Sequence, residues 1–468
     1  MPDKPVIYPI LPMFPSDNQV DRDSFQSLLQ SVLKLSKADM TEAVLEKNGL
    51  VLTRFAESKI HQNIDTEDTT LYIRMVKDKK LSVVATGDIS ESGIKKAVGA
   101  GEDMLKYMLP DDKFVSFPNP DSTVLKENSI SEGTSTYGPD RRAEAVKLID
   151  AIGRKGNLEA SGAFRIEEKS LAVANSLGVK RFFTGNNAQL SLTLSGKEKE
   201  SGWAIGYDRD ASLIDVGELA KRAAQKAVLS RNPISLPDGQ YTVILEPAAV
   251  GQLLILLAFM GFGAKTFSQQ RSFMAGKIGQ KIAGDNFTVY EDPHDPAFGT
   301  MPFDYEGVPK VKVPLIENGL ARGVVSNSYY ANIMGTTSTG NALPANNSFG
   351  PYPKNMVVAP GEKTLDEIIQ STEKGILITH FWYLNYLNPM KTMVTGTTRD
   401  GTFLIEKGQI GSAVKNMRTN QSILEAFTNI AAIGKESIIY PQYSILMKVP
   451  GMKIDNFNLA AEEDQEKC

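Results

Sequence analysis

Histidine and cysteine are scarce in this chain: its 468 residues hold three histidines, His61, His294 and His380, and one cysteine, Cys468, the last residue. A structural zinc site needs four imidazole or thiolate ligands at short spacings, and no such spacing occurs. A helical zinc motif of the H-E-x-x-H kind needs two histidines on one helix face, and no two histidines here are close enough to share a helix. There is also no G-x-S-x-G elbow and no internal cysteine, which argues against the familiar serine and cysteine hydrolases. Carboxylate chemistry stays open. One cysteine excludes an internal disulfide and suits a reducing cytoplasm.

A large excess of charge of either sign is missing too. The formal net charge is −4 with lysine and arginine scattered, so a basic nucleic-acid-binding face is not expected. The opening Met1-Pro-Asp-Lys-Pro5 has no charged leader, and Pro9, Pro12 and Pro15 break up the apolar residues after it, so a signal peptide is not expected. Long apolar runs are absent with one exception. Between Glu246 and Lys265 the chain carries no charge, but its apolar centre, Leu253 to Met260, is shorter than the ~20 residues a bilayer requires. It reads as a helix buried on every side, in a core or at a subunit interface.

What is present describes a globular α+β protein, 41% apolar and 23% charged, too long for one ordinary core. After an N-terminal extension (1–20), a first α+β unit (21–110) opens with a helix from about residue 22 to 35, with Phe25, Leu28, Leu29, Val32 and Leu33 on one face. Asn48-Gly49 predicts a two-residue hairpin between extended segments. A second hairpin pairs residues 70–76 with 81–86, and a helix bearing Ile94, Val98, Leu105 and Met108 follows. A loop (111–139) rich in Pro, Asp and Ser leads to a central α+β unit (140–230) with the same order of helix, strands and helix. An internal duplication and two unrelated small layers both fit that order. Residues 237–450 form a larger, mostly antiparallel β-rich domain whose turns include Asn318-Gly319, Asp400-Gly401 and Lys407-Gly408. A charged tail is placed at 451–468, with Cys468 exposed.

The third segment carries a resemblance. Phe273-Met-Ala-Gly-Lys-Ile-Gly-Gln-Lys-Ile282, Thr288-Val-Tyr-Glu-Asp-Pro-His294, Pro302-Phe-Asp-Tyr-Glu-Gly-Val308, Thr337-Ser-Thr-Gly340 and the run from Asn388-Pro389 through Thr395 to Glu406 resemble the TldD/PmbA family. Ala38-Asp39, Arg54-Phe55, Ser58 and Ile60-His61-Gln62 resemble its opening domain. The resemblance implies cytoplasmic peptidases built from two related subunit types. One, TldD, carries an H-E-x-x-x-H helix and a C-terminal cysteine as zinc ligands; the other, PmbA or TldE, lacks them. The matching positions here are Ile255, Leu256 and Met260, and no cysteine lies near Ala431 to Gly434.

The resemblance therefore implies a non-catalytic subunit with no cofactor of its own, paired as a homodimer or with a zinc-bearing TldD-type subunit, and acting on peptides or unfolded proteins without touching nucleic acid or membrane. Two alternatives stay open. One is a self-sufficient metal-dependent hydrolase using Glu291, Asp292, His294, Asp295, Asp304 and Glu306, although proline-flanked acidic loops are more often solvated turns. The other is an interaction protein, since the family has also been called a modulator of DNA gyrase. Candidate peptide-binding residues are Arg54 and His61 on a strand pair, His294 in the acidic loop, His380 before Phe381-Trp382-Tyr383, and Arg399 beside Asp400. Ordinary strand pairing, core packing and turn formation are the competing accounts of each.

Overall fold

The computed structural model describes residues 18–461. The N-terminal prolines and the acidic end with Cys468 lie outside them. The chain begins with α1 (Asn18–Leu35), β1 (Met40–Ala56), β2 (Lys59–Lys77), β3 (Lys80–Thr86) and α2 (Glu91–Leu105). A connecting stretch holds the two-residue β4 (Asn128–Ser129) and the short α3 (Glu132–Ser135). Then come α4 (Pro139–Arg154), β5 (Glu159–Asn175), β6 (Lys180–Ser195), β7 (Ser201–Asp208) and α5 (Val216–Leu229).

Helix, three antiparallel strands, helix thus occurs twice, and both triplets join one sheet through antiparallel pairing of β1 with β5. β1 and β5 are both 17 residues long. Side chains alternate across a strand, so β1 sorts its residues between two layers. Ala43 and Leu45 pack beneath α1 and α2, and Val51 and Phe55 join the core beneath α4 and α5. Glu42, Val44 and Glu46 point to the other face.

Asn48-Gly49 makes no turn. β1 passes straight through it because β2 and β5 hold it by a ladder on either side, with Asn48 opposite Asp68 and Lys169. The chain reverses at Glu57-Ser58 instead, where both residues take positive φ, 50° and 60°, as a tight hairpin turn demands. The second hairpin forms as read, with Val76 opposite Leu81.

The C-terminal part starts with β8 (Gly239–Leu245), α6 (Pro247–Gly261), α7 (Ala264–Ser268), β9 (Val289–Glu291), β10 (Val313–Glu317), β11 (Leu320–Ala321) and α8 (Ser328–Met334). It continues with β12 (Asn355–Val358), α9 (Leu365–Gln370), β13 (Lys374–Asn388), β14 (Met393–Glu406), β15 (Gln409–Ala413), β16 (Met417–Ser422), α10 (Ile423–Thr428), β17 (Ile430–Gln442) and β18 (Ile445–Ala461). Most pairings are antiparallel; β8–β13 and β12–β18 are parallel. The path β8, β13, β14, β16, β18 closes on itself because β18 pairs back onto β8, which removes those strand edges.

β18 runs past Pro450 into the segment read as tail: Met452 to Leu459 pair with β8, and Ala460 and Ala461 with β16. Asn318-Gly319 and Lys407-Gly408 turn as expected, between β10 and β11 and between β14 and β15. Asp400-Gly401 does not. It is a bulge inside β14, where the register with β13 jumps from Ile378–Thr402 to His380–Arg399.

Candidate functional site

The uncharged segment forms α6, started by Pro247 in the first turn, where a missing N–H costs nothing. It packs against β13, β17 and β18 of its own chain. Gly251 and Gly261 permit close approach, since an added Cβ would meet the Tyr440 ring at 2.5 Å and the Phe273 ring at 2.4 Å. Gln252 clamps β13 from both sides of its amide: Phe381 N donates to Oε1 at 2.7 Å, and Nε2 donates to Phe381 O at 3.0 Å. Ile255, Leu256 and Met260 are buried among apolar neighbours. The helix is therefore a core element and not an interface. A zinc ion finds no donor at these three positions, so the residues present do not fit that metal.

His380 is buried, 6% exposed, and the bulge at Asp400-Gly401 brings a carboxylate to it. His380 Nε2 lies 2.9 Å from Asp400 Oδ2, and Ser201 Oγ of β7 donates to Asp400 Oδ1 at 2.6 Å. The three side-chain types of a hydrolase triad are together, but the connectivity is wrong for one. Serine donates to aspartate and not to the imidazole, so the serine–histidine contact that activates the nucleophile of such a triad is missing. Asp400 is held below the usual carboxylate range: burial pushes it up, and the contacts with His380, Ser201 and Arg399 overcome that. Trp203 packs against the imidazole, ring centroids 4.5 Å apart and tilted by 36°, so the group fastens β7 to the C-terminal part. Arg399 lies over the Trp382 ring at 4.2 Å.

Arg54 and His61 are exposed, and Arg54 donates to its strand neighbour Gln62 at 3.5 Å. His294 is exposed as well. Asp292 and Asp295, partly exposed, accept from the backbone N–H groups of His294 and Ala297 in turns, as the turn account expects. Glu291, Asp304 and Glu306 are buried, and each is turned toward different partners. Among the described residues, no three His, Cys, Asp or Glu side chains gather as a metal-holding group.

One of those carboxylates, Glu306, belongs instead to an ionic junction between the N-terminal sheet and the segment Met301–Glu306. Arg74 Nη2 of β2 bonds Glu42 Oε2 at 3.0 Å and Glu306 Oε1 at 3.1 Å. Burial raises Glu42 to about 7, the Arg74 charge pulling it back and Glu306 adding to the rise. Nearby, Lys169 Nζ bonds Glu46 Oε1 at 2.5 Å and Tyr305 OH at 2.6 Å. Burial works to raise Glu46, yet Lys169 and the hydrogen bonds leave it lowered.

Asp304 accepts from the backbone N–H groups of Glu306, Val308 and Ala342, and burial beside Glu306 still pushes it up. Beyond it sit Lys310, 7% exposed, and Lys354. Lys354 falls to about 7 through burial and through the Lys169 and Lys310 charges, against the pull of Glu291 and Glu46. Sequence reasoning missed this cluster. One signal was legible: Glu42 and Glu46 share a strand face with Val44, and charges on an inward face want partners. Nothing in the sequence pointed to Lys310 or Lys354.

The twofold helix–sheet layer and the closed β domain built around the apolar α6 make up an α+β scaffold that comparison with known proteins assigns to a metallopeptidase-related family. Residues 135–231 match the PmbA/TldA metallopeptidase central domain, and residues 238–461 match the C-terminal domain of the same family. The chain belongs to the TldD/PmbA family. The structure of TldE from Thermococcus kodakarensis is similar at a TM-score of 0.84 and 26% identity, covering 93% of this chain and 99% of that one. A metalloprotease PmbA homolog of Haemophilus influenzae is 25% identical over 84% of this chain and 87% of its own length. A Methanothermobacter thermautotrophicus metalloprotease is 26% identical over 60% of this chain, and the match spans 61% of that relative. A Thermotoga maritima protein described as a modulator of DNA gyrase shares the fold, at a TM-score of 0.83 and 19% identity. Among the described residues no helix is long and apolar enough to cross a membrane.

Proposed function

We propose that this chain is the non-catalytic subunit of a two-subunit TldD/PmbA-type peptidase, binding peptides or unfolded protein while a zinc-bearing TldD-type partner cuts them. One observation carries the reading: Ile255, Leu256 and Met260, at the positions where the resemblance places two zinc-binding histidines and a catalytic glutamate, are buried apolar side chains. Isoleucine, leucine and methionine here can neither hold the metal nor move a proton.

The occurrence of both TldD and PmbA homologues among the relatives supports a pair of unlike subunits. The far end of the β13–β14 hairpin supports an interface. There Trp382, Tyr383, Tyr386, Leu387 and Met390 are all exposed, and an apolar, aromatic patch of this kind suits the centre of a protein contact.

Metal content and peptide cleavage of the purified chain, alone and mixed with a TldD-type protein, test the proposal. Cleavage that appears only in the mixture, and that the double variant Trp382→Ala, Tyr386→Ala suppresses together with co-elution, is the expected result. Stoichiometric zinc and cleavage by the chain alone would overturn it.

A further inference from the structure

A cavity of about 380 Å³ lies between the central unit and the C-terminal part, within the size range that holds small molecules. Four stretches of chain wall it: Ser131, the end of β7 with the residues just after it, Pro296 and Ala297 beyond β9, and Ile439 of β17.

Three side chains of this wall keep unused hydrogen-bonding capacity. Arg209 joins no ion pair among the described residues, and its one hydrogen bond there runs from Nη2 to Ser129 O at 3.4 Å. Its Nε is buried without an acceptor against Gly299, whose φ of 56° and missing side chain make room for the guanidinium; an added Cβ would strike Nε and Cδ. The Tyr207 hydroxyl makes no hydrogen bond among the described residues, and burial pushes the phenol up, so it stays a donor. Asp208 accepts the Asp210 N–H on Oδ1 at 2.8 Å and leaves Oδ2 open.

Asp210, by contrast, is fully engaged, accepting from Ser131 Oγ, Ser212 Oγ and the Ser212 N–H. Ser129 Oγ and Thr300 Oγ1, on the two segments that touch Arg209, are also buried without a partner. Buried polar atoms are nearly always paired, so three orphans around one arginine at a cavity wall point to a polar occupant.

We propose that this cavity binds a free α-amino acid with an apolar side chain. Arg209 and the Tyr207 hydroxyl supply donors for the carboxylate, and Asp208 Oδ2 accepts from the ammonium. The rest of the wall is apolar: Leu213, 69% exposed, stands with Pro296, Ala297 and Ile439 to cover the side chain. A plain anion would leave Asp208 unanswered, and a plain cation would leave Arg209 so. A zwitterion answers both. The assignment does not depend on the two-subunit reading.

Calorimetry on the purified full chain tests the site with L-leucine and with N-acetyl-L-leucine, L-leucinamide and glycine, which lack the ammonium, the carboxylate and the apolar side chain in turn. Leucine should bind at least about tenfold more tightly than each of the others. Asp208→Asn should weaken leucine about tenfold and leave N-acetyl-leucine unchanged, whereas Arg209→Gln should weaken leucine as much and leave leucinamide unchanged. A general loss of structure would weaken every probe alike. Leu213→Ser, at an exposed position, should bring leucine down toward glycine without lowering the melting temperature.

No binding of leucine, or equally tight binding of N-acetyl-leucine or leucinamide, would refute the site. Leucine binding unmoved by all three variants would place it elsewhere on the chain. Equal binding of glycine would refute the apolar wall, and tighter binding of leucyl-leucine would refute the assignment to a free amino acid.

Discussion

Replacing Arg74 by leucine should loosen the joint between the N-terminal sheet and the C-terminal domain, and the loss should depend on pH in a direction the structure dictates. Arg74 lies between Glu42 and Glu306, whose side chains are 2% and 4% exposed. With the guanidinium gone, Glu42 is left buried beside a second carboxylate with no cation between them, and the way out is for Glu42, already raised by burial, to take up a proton. Holding a glutamate neutral at about pH 7.5, some three units above its ordinary value, costs about 4 kcal/mol at about 1.4 kcal/mol per unit. That agrees with the about 3–5 kcal/mol lost when a buried ion pair is stripped of one partner.

The sign follows from proton uptake. A carboxyl whose folded pKa is raised contributes stability below its unfolded value and loses it as pH rises, so the Arg74→Leu deficit should shrink toward about 1 kcal/mol near pH 5.5. Urea unfolding of native and variant protein at the two pH values, followed by fluorescence, measures the difference. A deficit under about 1 kcal/mol at the higher pH, or the same deficit at both, would show that Arg74 is not the charge these carboxylates depend on.

Rebuilding the zinc motif on α6 by Ile255→His, Leu256→Glu and Met260→His should fail to gain a metal site and should unfold the C-terminal part, since each change buries an unpaired polar group at about 1–3 kcal/mol or more; a melting curve unmoved by zinc and far below that of the native chain is the expected outcome. Asp400→Asn should cost about 1–2 kcal/mol at neutral pH by removing the carboxylate's charge from its contact with His380. Because the native carboxyl is held low, its contribution is present above the ordinary aspartate range and vanishes as pH falls through the folded value, so native and variant stabilities should converge in acid. Gly251→Ala should cost about 1–3 kcal/mol through overpacking against Tyr440, read as a lowered urea midpoint with an unchanged slope.

The helices and most strands were readable because each signal is local. α1 takes in residues 22–35, the span its apolar spacing indicates, and α6 is buried as its uncharged composition implies. Turn dipeptides were a weaker guide. Asn48-Gly49 and Asp400-Gly401 carry the same local preference as Asn318-Gly319, yet ladders from neighbouring strands overrule it in the first two cases. Of the candidate site residues, His380 and Arg399 meet around Asp400 and Trp382, while Arg54, His61 and His294 stand apart on the surface.

The sequence by itself determined the α+β class, the family and the absence of zinc ligands from one helix, because these depend on residue type and on spacing within a few turns. Only the tertiary structure decided where the unused charges meet. Arg74 finds Glu306 across 232 positions, Lys169 finds Tyr305 across 136, and Ser201 reaches Asp400 across 199. No periodicity links residues so far apart. The first two pairs are brought together because β1, β2 and β5 turn one face toward a loop of a later domain, and burying that face leaves each charge dependent on whatever the loop provides.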